Sequence, residues 1–135
     1  SGFSVKREEI AWDAMDIGGD GTQRLPRMIT DITLRSPERT IVIDTKFYKR
    51  TLSKSQHGDI AKIHSENLYQ IYAYIRNMEN REGPDSEAEG ILLYPTVDQA
   101  VDLAYEIQGH RIRVKTLNLS QDWPDIRSEL LQLIA

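Results

Sequence analysis

Apolar residues recur along this chain with two periods, one near two residues and one near 3.6. Ile10, Trp12 and Ala14 alternate with Ala11 and Asp13, which predicts a strand over 10–14. Gly18-Gly19-Asp20-Gly21 reads as a turn. Met28 to Leu34 and Thr40 to Phe47 are rich in β-branched residues and predict two further strands. Between them, Ser36-Pro37-Glu38-Arg39 places Ser and Pro at the first two positions of a type I turn. Arg50 to Gly58 reads as a polar loop. From about Asp59 to Asn80 the period changes. Ile60, Ile63, Leu68, Ile71, Ile75 and Met78 fall near one helical face, and Gly83-Pro84-Asp85-Ser86 ends the pattern. Ile91 to Tyr94 is an uninterrupted apolar run, suited to a strand buried on both faces. Val101, Leu103, Tyr105 and Ile107 alternate, as do Ile112 and Val114 beyond Gly109, predicting a hairpin. Asp122 can cap a last helix whose inner side carries Ile126, Leu130 and Leu133. This order predicts an α/β (α+β) fold: a mixed central β-sheet flanked by helices, with at least one crossover helix.

Composition narrows the class. The 135 residues suit a single domain over 1–135 with one real core. Apolar residues make up 39% and charged residues 28%, as in folded soluble domains. No apolar run approaches the roughly 20 residues of a membrane span. The polar N-terminus lacks a signal-peptide core, so a cytoplasmic protein is expected. Without cysteine, disulfides and thiolate zinc sites are excluded. His57, His64 and His110 lack the spacing of a zinc hydrolase.

The net charge is −4, unfavourable for autonomous binding to duplex DNA. The charge is unevenly spread. Lys46, Lys49, Arg50, Lys54 and Lys62 are opposed only by Asp59, whereas Glu79, Glu82, Asp85, Glu87 and Glu89 are opposed only by Arg81. Two solvated surfaces are the commoner meaning of such runs. The other is a basic, DNA-facing rim.

The chemistry concentrates in the hairpin about Pro37-Glu38. Symmetric pairing there sets Leu34 opposite Ile41, Ile32 opposite Ile43, and Asp31 opposite Asp44. One face then carries Ile32, Leu34, Ile41 and Ile43, a core face. The other carries Ile29, Asp31, Thr33, Val42, Asp44 and Lys46. Opposed like charges destabilise a sheet by roughly 0.2–1 kcal/mol, and a divalent cation between them reverses the sign. Mg²⁺ takes one or two carboxylates together with waters and phosphate oxygens, and Lys46 could serve the attacking water. Spacing alone leaves the commoner alternative open, a solvated polar strand face. A one-residue slip would also separate the two aspartates.

Thr30-Asp31 followed by Asp44-Thr45-Lys46 resembles the PD-(D/E)xK nuclease signature, with Thr replacing its Pro. Longer blocks, Leu25 to Ile32, Ile41 to Tyr48, Asn67 to Tyr74 and Gly90 to Pro95, resemble the McrC family, nuclease subunits of McrBC modification-dependent restriction systems. The resemblance implies a restriction-endonuclease-like core and Mg²⁺-dependent cleavage of double-stranded DNA, with Mn²⁺ as a substitute. Asp31 and Asp44 would bind the metal, with the Thr45 carbonyl as a further ligand, and Lys46 would serve water. Gln70 and Tyr74 match the Q-x-x-x-Y motif of related RecB-like nucleases. They share a helical face with Glu66 one turn earlier. Glu8 or Glu9 could add an upstream acidic ligand. McrC-like proteins are longer, and an N-terminal region engages an McrB-like AAA+ GTPase that recognises 5-methylcytosine. The expectation is therefore an excised C-terminal nuclease domain of a phage-defence system, delivered to DNA by its partner. Two other readings stay open: an assembly or regulatory module on an AAA+ GTPase with little isolated activity, and another PD-(D/E)xK nuclease, such as a RecB-like exonuclease or a transposase subunit.

Overall fold

β-Branched and aliphatic runs become strands, and the 3.6-period stripe becomes the helix that crosses them. In the computed structural model the strands run Ser4–Lys6 (β1), Glu9–Ile10 (β2), Met28–Ile29 (β3), Ile32–Arg35 (β4), Thr40–Thr45 (β5), Leu52–Lys54 (β6), Ala61–Ile63 (β7), Glu89–Pro95 (β8), Asp102–Ile107 (β9) and His110–Leu117 (β10). The helices are Ser65–Arg76 (α1) and Trp123–Leu133 (α2). The structure describes residues 2–19, 21–47, 52–54, 61–63, 65–96 and 99–135, with the backbone alone at 52–54, 61–63 and 65.

A six-stranded sheet has the order β1-β4-β5-β8-β10-β9. β4 pairs antiparallel with β1 and β5, β5 and β10 pair parallel with β8, and β9 pairs antiparallel with β10. This is the mixed sheet expected, flanked by two helices. The parallel β5–β8 pair requires a crossover, and α1 lies within it. β2–β3 and β6–β7 form separate two-stranded ribbons.

The hairpin register agrees with the prediction: Ile32 pairs with Ile43, Leu34 with Ile41 and Arg35 with Thr40. Ser36 fixes the turn. Its amide donates to the Arg39 carbonyl at 2.8 Å, and its Oγ accepts the Arg39 amide at 3.0 Å. The β9–β10 turn carries Gln108 at φ 51° and Gly109 at φ 85°, the paired positive angles of a tight hairpin.

Each face of the sheet has its own core. Leu34, Ile41, Ile43, Ile91, Leu93, Leu117 and Leu133 form one, joined by Ile126 and Leu130 of α2 as expected. Val42, Leu92, Tyr94, Ile112 and Val114 form the other, under Ile71, Tyr74 and Ile75 of α1. Gly90 permits the close approach of α1: a Cβ there would stand 3.0 Å from Ile71 Cδ1. The hairpin face carrying Val42 and Asp44 is therefore buried beneath α1, and the solvated-face alternative is overturned.

Several expected boundaries move. The strand over 10–14 reduces to Glu9–Ile10, because Trp12 Nε1 and the Asp13 amide bond to Pro26 O and Asn77 Oδ1 instead of a ladder. The strand over 28–34 divides at Thr30-Asp31. The helix begins at Ser65, since 61–63 is strand; Asp59 and Ile60 lie outside the described residues. Asp122 occupies the cap of α2, but its backbone carbonyl does the bonding, to the Asp125 and Ile126 amides, without a side-chain cap. Among the described residues no helix is long and apolar enough to cross a membrane.

Candidate active site

Thr30 takes the chain out of the ladder. It is fully buried, its amide donates to Glu8 O at 2.8 Å, and its Oγ1 accepts the Glu8 amide at 3.1 Å. This stitching to the N-terminal segment bends the chain at Asp31, so β4 starts only at Ile32. The Thr45 amide, on the β4 edge of β5, bonds to a side chain instead. Asp31 Oδ2 accepts it at 2.8 Å and accepts Thr45 Oγ1 at 3.1 Å. The expected Asp31–Asp44 ladder pair does not form, because the ladder ends at Ile32–Ile43; Asp31 is instead held beside the end of β5 by its own carboxylate, and it is exposed.

Asp44 and Lys46 follow the strand alternation onto the α1 face, where both are buried. Lys46 Nζ stands 3.1 Å from Asp44 Oδ2. The contact is charge proximity without hydrogen-bond direction, for Oδ2 is buried and has no hydrogen-bond partner. Lys46 Nζ instead donates to Gln70 Oε1 at 2.9 Å, and Gln70 Nε2 donates to Tyr74 OH at 2.8 Å. The helical spacing of Gln70 and Tyr74 brings them onto one side of α1, as expected.

Burial raises the Asp44 pKa to about 6. Lys46 opposes the rise, while Asp31, a second carboxylate facing the same space, adds to it. Burial also raises Tyr74, Gln70 lowers it, and the Asp44 charge raises it.

Asp31, Asp44, Thr45, Lys46, Gln70 and Tyr74 therefore come together. Glu66 is exposed on the first turn of α1. Glu8 and Glu9 do not join the site. Arg35 holds both Glu8 oxygens, at 2.6 and 2.9 Å, and Arg27 holds Glu9 at 2.7 Å. Of the basic rim, Lys49 and Arg50 lie outside the described residues. Lys54 and Lys62 are described as backbone in the β6–β7 ribbon. Among the described residues no group of three or more His, Asp and Glu side chains is gathered to hold a metal.

Sequence reasoning gave no role to Asn67 and Tyr94. Both are buried, and Asn67 Nδ2 donates to Tyr94 OH at 3.0 Å. A signal was present, since Asn67 falls on the stripe of Ile71, Tyr74, Ile75 and Met78. A polar residue inside an apolar stripe needs a partner.

Residues 14–95 match the McrBC 5-methylcytosine restriction system component family. The chain belongs to that family. It is also 41% identical over 130 residues to the type IV methyl-directed restriction enzyme EcoKMcrBC of Escherichia coli (strain K12), a match covering 96% of this chain. The chain spans 36% of that relative's length. The part matching the McrBC family holds Asp31, Asp44, Thr45, Lys46, Gln70 and Tyr74, together with Asn67 and Tyr94. The β9–β10 hairpin and α2 follow it in sequence.

Proposed function

We propose that this chain is the metal-dependent DNA-cleaving module of an McrBC-type restriction system. The observation that carries the reading is the convergence of Asp31 and Asp44 beside Lys46, with Asp44 Oδ2 buried and without a hydrogen-bond partner. Asp44 Oδ2 has the Lys46 charge beside it but accepts no hydrogen bond; a buried oxygen with unused acceptor capacity is costly, and a cation would fill it. The donor set is all oxygen: two carboxylates and the Thr45 carbonyl, which leaves the strand on the same edge as the amide held by Asp31. That suits Mg²⁺, with Mn²⁺ as a substitute, since Mg²⁺ needs only one or two carboxylates from the protein.

When bound, such a cation supplies charge neutralisation at the phosphodiester and lowers the pKa of water. The chain's residues supply the rest. Exposed Asp31 leaves the site open on the side from which DNA enters. Asp44 is held ionised by Lys46 despite its burial. Lys46, anchored by Gln70, presents an ammonium that orients the attacking water or offsets charge on the phosphate. Gln70 in turn is fixed by Tyr74, so the ammonium has one position rather than many.

Family membership supports the restriction role, and the name of the Escherichia coli relative supports methyl-directed cleavage. The acidic balance of the chain supports delivery to double-stranded DNA by a partner, which we take to be an McrB-like AAA+ GTPase bound through a region outside this chain. The test is nicking of supercoiled plasmid in Mg²⁺ or Mn²⁺, by this chain and by the assembled complex. Asp44→Ala and Lys46→Ala should each abolish cutting. Undiminished cutting by the complex carrying Asp31→Ala and Asp44→Ala would overturn the assignment.

A further inference from the structure

Lys46 is held from one side by Gln70 of α1, so its position depends on where α1 sits over the sheet. Apolar packing of Ile71 against Gly90, and of Ile75, sets the helix over the sheet, and directional bonds narrow that placement further. Among the described residues two run between α1 and the floor of the site: Gln70 with Lys46, just past the end of β5, and Asn67 with Tyr94 on β8.

Their placement is correlated. Asn67 and Gln70 are one helical turn apart. Thr45 pairs with Leu93, and the Lys46 amide donates to Leu93 O at 2.9 Å. Continued one residue past the end of β5, the same register sets Lys46 beside Tyr94, and both side chains are buried. Tyr94 is completely buried. Its hydroxyl accepts the Asn67 amide, so its own proton is not used in that bond. Burial raises the Tyr94 pKa, Asn67 lowers it, and the Asp44 charge raises it, which places the phenol within the field of the site.

We propose that the Asn67–Tyr94 hydrogen bond is a positioning device for Lys46: it pins the first turn of α1 to β8, so that Gln70 Oε1 meets the Lys46 ammonium. Asn67 and Tyr94 are positioning residues, acting through Gln70. The proposal rests on the nuclease reading only for its consequence in rate.

The experiment has two arms. In the first, the protein is labelled with ¹³C-lysine and the Lys46 ε-methylene resonance is assigned with Lys46→Arg. Gln70→Ala moves this resonance. Tyr94→Phe, which removes one oxygen and keeps the ring, is expected to move it in the same direction, as is Asn67→Ala. In the second arm, Tyr94→Phe in the assembled nuclease is expected to lower kcat for plasmid nicking about tenfold, the usual effect of one lost neutral hydrogen bond, with KM for DNA unchanged. Tyr94→Phe combined with Gln70→Ala should cut no more slowly than Gln70→Ala alone, because the two act in series. A Lys46 resonance that Tyr94→Phe leaves in place while Gln70→Ala moves it overturns the proposal, whatever the rate. Wild-type cutting by Asp44→Ala overturns the nuclease reading instead, and the resonance still decides whether Lys46 is positioned in this way.

Discussion

Lys46 Nζ lies 3.1 Å from Asp44 Oδ2, in a contact where both side chains are almost completely withdrawn from water. Breaking a buried pair costs far more than the pair contributes, because the remaining charge is left without a partner. Lys46→Ala is expected to destabilise the metal-free protein by about 3–5 kcal/mol at pH 8. At pH 5, where Asp44 takes up a proton, the loss should be smaller. Urea unfolding at the two pH values checks this. An equal loss at both would mean that Lys46 matters through packing rather than charge.

The Asp44 pKa of about 6 sets a second expectation. Its folded value exceeds the ordinary carboxylate value of 3.8, so the folded protein binds this proton more tightly than the unfolded chain does. The contribution to stability is fully present below about pH 4 and is lost as pH rises through 6. It amounts to about 3 kcal/mol. A divalent cation reverses the trend, because it competes with the proton for the same carboxylate. Stabilisation by Mn²⁺ should therefore be slight at pH 5 and large at pH 8. Thermal melts at the two pH values, with and without Mn²⁺, measure it.

Asp85 shows the opposite linkage. Burial works against its charge, but Arg35, Thr40 and Arg81 outweigh that and hold its pKa at about 2. Arg35 grips it at 2.9 Å while also holding Glu8, so the cluster ties the N-terminal segment to the hairpin that carries Asp31 and Asp44. This stability, about 2 kcal/mol, is present above pH 4 and is lost as pH falls through 2. Asp85→Asn should flatten acid unfolding between pH 4 and pH 2, as followed by circular dichroism.

How much of this was legible in the sequence depended on how local the determinants are. The hairpin register followed from Ser36 and Pro37, because turn geometry fixes pairing within a few residues. The apolar run at Ile91 to Tyr94 declared a strand buried on both faces. The start of α1 was misplaced because Ile60 and Ile63 continue the helical period backwards, and periodicity alone cannot separate a short strand from a first turn. The face of Val42 and Asp44 left two readings open because its cover, α1, arrives from more than twenty residues away. Val42 was the clue, an apolar residue on the face that could have been solvated.

The site was legible in part for the same reason. The turn and strand alternation brought Asp31, Asp44 and Lys46 into view together, whereas Gln70 and Tyr74 were singled out by the family resemblance, with helical spacing in agreement. That Asp31 is fastened by the Thr45 amide, and that Glu8 and Glu9 belong to Arg35 and Arg27, depends on contacts between distant segments. No local pattern encodes them.

The central claim is that Asp31 and Asp44 together hold a divalent cation, and calorimetric titration of Mn²⁺ tests it without requiring DNA or a partner. The wild-type chain at pH 8 should bind Mn²⁺, and Asp31→Ala and Asp44→Ala should each lose that binding while remaining folded. Mn²⁺ binding of wild-type strength in either folded variant would contradict the account.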